Sequence, residues 1–83
     1  MQQGSRFKLP PELARLSRDE WEQILDQAMF CELDAGIVRN YIILGMSQVD
    51  TGTEVDRVRS TIYRRRGKIL ERAREVAKNL NMI

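Results

Sequence analysis

Eighty-three residues, 42% hydrophobic and 31% charged, suffice for one domain with a modest core and do not fit a disordered chain. A single cysteine, Cys31, and no histidine exclude an internal disulfide, a zinc finger and the usual nucleophile–base pairs of enzymes, so neither catalysis nor a metal or other cofactor is expected. The net charge of +2 conceals an asymmetry: residues 57–74 hold eight basic side chains against one acid, Glu71, for +7, while the rest holds six basic and eleven acidic residues, for −5.

Residues 1–10 read as a loose arm, polar through Lys8, with Pro10 and Pro11 able to open a helical turn; residues 12–16 then form either that turn or an extended segment. Ser17-Arg18-Asp19-Glu20 has the capping-box form, serine at the cap and glutamate three residues on. Trp21, Ile24, Leu25 and Ala28 follow at helical spacing, predicting a first long helix to about Met29–Cys31, with Leu16 placed to staple onto Trp21. Asp34 is a candidate cap for a second helix to about Leu44, burying Ile37, Val38, Tyr41 and Ile42 with Leu44 near its end, and Gly45 is its stop. Ser47 caps a short third helix from Gln48 to about Glu54. Val55-Asp56-Arg57 forms a tight turn, and a fourth helix runs from near Val58 to Leu80, with Gly67 a mild weak point. The chain is therefore expected to be all-α, a bundle of four to five helices in one domain. No apolar run approaches the ~20 residues of a membrane span, and no basic-then-apolar leader is present; a cytoplasmic protein is expected.

Residues 48–66 suit a helix-turn-helix. In such a unit a first helix crosses a second, and the second enters the major groove of DNA. Gly52 supplies a small residue for close approach, and Val55 and Ile62 are spaced to bridge the two helices. Asp56 stands where a turn glycine is usual, and Arg57 where an apolar residue is. The exposed side of the second helix offers Val58, Arg59, Ser60, Tyr63 and Arg64. Arginine can pair two donors with guanine, serine and threonine can meet base edges or phosphates, and tyrosine can touch a thymine methyl or a phosphate. Gln48 stands at the front of the scaffold helix, placed for a phosphate. The expected DNA contacts are Gln48, Arg57, Arg59, Ser60, Thr61, Tyr63, Arg64 and Lys68, with Arg72 beside Lys68 as a phosphate clamp. Arg39 suits either the DNA side or an ion pair.

Leu16-Ser17-Arg18-Asp19-Glu20-Trp21, Ile37-Val38-Arg39, Gly45-Met46-Ser47-Gln48 and Arg59-Ser60-Thr61-Ile62 together resemble the TrfB/KorA group of transcriptional repressors of conjugative plasmids, and in particular its ArdK-like regulators. The resemblance spans about residues 16–70. It implies repression by operator binding, with Arg59, Ser60, Tyr63 and Arg64 on the recognition helix. The sequence stops short of the separate C-terminal dimerisation domain of longer members.

The tail offers a substitute. Ile69, Ala73, Val76, Leu80 and Ile83 are spaced four, three, four and three, a heptad seam that suits a partner helix. It predicts a homodimer on a palindromic double-stranded operator, its recognition helices ~34 Å apart. The alternative is that this face folds back on its own domain. Two other functions compete: binding of structured RNA or nucleoprotein assembly through the arginine-rich helix, and a protein–protein adaptor docking through its acidic first helix and apolar tail. The oxygen pattern of Asp50, Glu54 and Asp56 is too sparse for a metal loop, and no small-molecule substrate or membrane partner is implied.

Overall fold

The computed structural model describes residues 9–83, and every element in it is helical. Most of the expected arm, residues 1–8, lies outside the described residues. Its last two positions do not behave as an arm: Leu9 packs against the core, and Pro10 accepts hydrogen bonds from the amides of Leu13 and Ala14. Pro11 then opens the one-turn helix α1 (Pro11–Ala14), which buries Leu13 completely and ties Glu12 to Arg74 by an ion pair.

Helix α2 (Arg18–Ala28) starts where the capping box places it. The Ser17 amide donates to Glu20 Oε1 at 2.8 Å, and the Glu20 amide donates to Ser17 Oγ at 3.1 Å. Trp21, Ile24 and Ala28 are buried, and Met29 ends the helix in a left-handed conformation with φ 57°.

Helix α3 (Glu32–Ile37) runs directly into a π-helical segment, Val38–Ile43. The wider turn appears in the Leu44 amide, which bonds the Arg39 carbonyl five residues back at 3.0 Å. Asn40 Nδ2 donates to the Gly36 carbonyl at 2.9 Å where the register changes. Two expectations are corrected. Asp34 does not cap this helix: Cys31 holds the cap position, and Asp34 lies inside the first turn, buried and bonded to Arg65. Ile37, Val38 and Tyr41 are buried, whereas Ile42, expected on the same face, is only half-buried, and Leu44 near the end is 53% exposed. Gly45 takes φ 70°, which allows the Met46 amide to close on the Asn40 carbonyl at 3.0 Å.

Helices α4 (Gln48–Val55) and α5 (Arg59–Asn79) complete the fold. α5 packs against α2, α3 and α4, with Ile62, Ile69, Ala73, Val76 and Ala77 buried along it. This overturns the seam. Ile69 and Ala73 are fully buried and Val76 nearly so, in contact with the chain's own core, so the four-three spacing serves the fold rather than a partner helix. Of the five seam residues only Leu80 and Ile83 reach the surface. Among the described residues no helix is long and apolar enough to cross a membrane.

Candidate nucleic-acid interface

Serine again sets the start of α4, its Oγ accepting from the Asp50 amide at 3.0 Å. The helix ends at Asp56, left-handed at φ 58°. The Asp56 amide bonds the Thr53 carbonyl at 3.3 Å and the Arg57 amide bonds the Gly52 carbonyl at 2.8 Å, the paired closure of a Schellman end. Aspartate replaces the usual glycine there because a short polar side chain tolerates the left-handed region better than most. Gly52 is required by the same closure. A Cβ added to it would stand 2.5 Å from the Arg57 carbonyl oxygen, so the close neighbour is the backbone of the turn, folding back over α4. Val55, half-buried, packs against the core that includes Ile62 of α5, and it also seats α4 on α3: a Cβ on Gly36 would meet Val55 Cγ1 at 2.9 Å. Ile62, fully buried, anchors α5.

After the turn Val58 is extended and α5 begins at Arg59. Arg59, Ser60, Tyr63, Arg64 and Lys68 are all exposed; at about 100° per residue the first four share one side of the helix, and Lys68 follows Arg64 one turn on at its edge. Thr61 and Gln48 are half-buried at its margins, and Arg57, exposed in the turn, donates to the Asp56 carbonyl at 2.9 Å. Arg57, Arg59, Arg64 and Lys68 make no ion pair among the described residues. Tyr63 is 57% exposed, with the Arg66 guanidinium 4.6 Å from its ring centroid, a cation–π contact that limits its rotamers.

The other basic residues have structural work. Arg65 grips Asp34 through two bonds, Nε to Oδ1 at 2.6 Å and NH2 to Oδ2 at 2.7 Å, tying α5 to α3. Hydrogen bonding to that carboxylate, reinforced by its charge, raises the Arg65 pKa, so Arg65 is cationic at every working pH. Arg72, expected as a phosphate clamp, instead donates to the Ala28 carbonyl at the end of α2 at 3.0 Å and pairs with Glu75 at 2.9 Å. Arg74 holds Glu12 of α1. These pairings were hidden in the sequence because the Arg65–Asp34 and Arg74–Glu12 partners lie 31 and 62 positions apart. Arg39 is exposed and lines a cleft of about 400 Å³ between α3 and α4 together with Arg57, Glu32 and Glu54.

A short helix and a long one thus meet across a tight bend, and the first two turns of the longer one present arginines without ion pairs among the described residues, a serine and an aromatic ring to solvent. Such a surface can hold phosphates and donate bidentate hydrogen bonds to base edges. Comparison with known protein families, with curated proteins and with solved structures finds no match to this chain.

Proposed function

We propose that this chain is a sequence-specific DNA-binding protein, a repressor-type transcriptional regulator acting in the cytoplasm, whose helix α5 enters the major groove by its N-terminal end. The observation that carries this reading is the stripe of Arg59, Ser60, Tyr63 and Arg64, exposed at the start of a helix whose pose is fixed by the Gly52–Asp56 turn and by the Arg65–Asp34 clamp. Rigid presentation matters because base reading needs side chains held in register with the groove. The positive end of the α5 dipole at Arg59 adds attraction for phosphate.

In this reading the recognition helices of two chains serve the half-sites of a palindrome. Because Ile69, Ala73 and Val76 are core, the homodimer forms on the DNA or through other surface.

Selection of bound duplexes from a random pool, followed by footprinting, tests the proposal. One preferred sequence with two-fold symmetry and half-sites about one helical turn apart is the expected result. Equal affinity for random duplex, or tighter binding to structured RNA, would overturn it. Affinity should fall with salt by about 0.9 log units per log unit of salt for each phosphate held, which an apolar protein adaptor would not show.

A further inference from the structure

Large apolar side chains at the surface need a reason when they gather at a proposed interface. Three of them, Val49, Val58 and Tyr63, lie on the helix-turn-helix unit, with Val49 55% and Val58 67% exposed. Val49 and Val58 line one open concavity of about 540 Å³ together with Gly52, Thr53 and Arg59. The concavity opens at the mouth of α5, the end that enters deepest in the reading above. Its rim carries one acid, Asp56, against two bases: Arg57 and Arg59, both exposed and without an ion pair among the described residues, leave it net positive and suit flanking phosphates.

Val58 also holds the N-cap position of α5, where a serine, threonine, aspartate or asparagine would satisfy a first-turn amide. It makes no such bond, so valine there forgoes the cap that a polar residue would supply. In the major groove the one apolar feature of the base edges is the 5-methyl group of thymine.

We propose that Val58, backed by Val49, receives the 5-methyl group of a thymine, and so fixes thymine at one position of each half-site. The inference rests on the DNA-binding reading and adds to it a base and the residue that reads it. It also supplies a reason for preferring DNA to RNA, since uracil lacks that methyl group.

The test uses the selected duplex with each thymine replaced in turn by deoxyuridine. Affinities are measured for the parent protein and for Val58→Ala, with Val58→Ser as a second variant that supplies a helix cap. Circular dichroism confirms that both variants fold. The parent should lose about fourfold in affinity at one thymine of each half-site, the factor for one buried methyl. Val58→Ala and Val58→Ser should bind the unmodified duplex about that much more weakly and no longer distinguish thymine from uracil at that position, while other positions behave as in the parent. A duplex that is selected but bound equally well with uracil at every position overturns this inference and leaves the DNA-binding reading standing. So does thymine discrimination that survives in both variants, since another residue would then read the methyl group. Failure to select any duplex overturns both.

Discussion

Gly52 and Gly67 both lie within helices, α4 and α5, yet the same substitution should move stability in opposite directions. Helix propensity alone favours alanine at each by about 1 kcal/mol. At Gly67 an added Cβ meets nothing within 4 Å, so Gly67→Ala should realise that gain and raise Tm by about 4–8 °C for a domain of this size. At Gly52 the added Cβ would stand 2.5 Å from the Arg57 carbonyl oxygen. The closest ordinary C–H···O contacts are about 3.3 Å, so the turn must move by about 0.8 Å. The obstacle is backbone, held by the 2.8 Å bond from the Arg57 amide to the Gly52 carbonyl, and it cannot rotate aside as a side chain would. Overpacking of this kind costs about 1–3 kcal/mol, and weakening the hydrogen bond adds about 1. Against the propensity gain, a net loss of about 1–3 kcal/mol remains, so Tm falls by at least about 4 °C. Thermal denaturation followed by circular dichroism measures both variants. A Tm for Gly52→Ala equal to or above the parent's would refute the claim that Gly52 is required by the turn.

Arg65→Ala leaves the Asp34 carboxylate, 7% exposed, without its guanidinium; the expected loss is about 1–3 kcal/mol, tempered because the Arg65 side chain is 36% exposed. Adding Asp34→Asn should recover part of it in denaturant titrations, and no recovery would show that the loss has another source. Arg59→Ala and Arg64→Ala should each weaken the preferred duplex by about 1–3 kcal/mol and relax base preference, Lys68→Ala should weaken all sequences about equally and flatten the salt slope, and Arg72→Ala should lower Tm with little effect on that slope. Four variants that behave alike would refute the division between readers, phosphate contacts and tethers. Burial raises the Tyr41 pKa above its ordinary 10.0, with the Arg66 charge opposing in part. The stability linked to this neutral phenol is therefore complete below about pH 10 and is lost as pH rises through the raised native value. Tyr41→Phe should remove that alkaline loss, and unfolding free energies measured at about pH 9 and pH 11 that fall equally in both proteins would contradict the assignment.

Where a signal is local, the sequence carried it. The starts of α2 and α4 follow from Ser17 and Ser47, the bend from Asp56 and the stop after the π-segment from Gly45, because each is decided by a few neighbouring residues. What failed was non-local. An aspartate in the first turn of a helix looks like a cap whether or not an arginine 31 positions away claims it, as Arg65 claims Asp34. A four-three apolar spacing is the same on a helix that meets its own domain as on one that meets a second copy, and Ile69, Ala73 and Val76 meet their own domain. The π-segment has no such local marker: Val38-Arg39-Asn40-Tyr41-Ile42-Ile43 would pass for an ordinary helix. For the site, period and exposure were legible at Arg59, Ser60, Tyr63 and Arg64, whereas the tether role of Arg72 depended on where α2 ends.

The same distinction bears on charge. Arg64, Arg65 and Arg66 are contiguous, but each helical residue turns by about 100°, so a run of cations in sequence is not a patch in space. Arg64 faces solvent, Arg65 turns to Asp34 on α3, and Arg66 lies over the Tyr63 ring. With Arg65, Arg72 and Arg74 engaged by carboxylates and Arg66 held over the Tyr63 ring, four of the eight cations are exposed without an ion pair among the described residues: Arg57, Arg59, Arg64 and Lys68. If every one of those held a phosphate, the dependence of log affinity on log salt would reach about −3.6 per bound chain, against about −7 were all eight engaged. A titration from low to moderate salt on the selected duplex separates these values. A slope near the steeper limit would mean that binding breaks the internal ion pairs, in which case the Arg65–Asp34 clamp could not be what holds α5 in its reading pose.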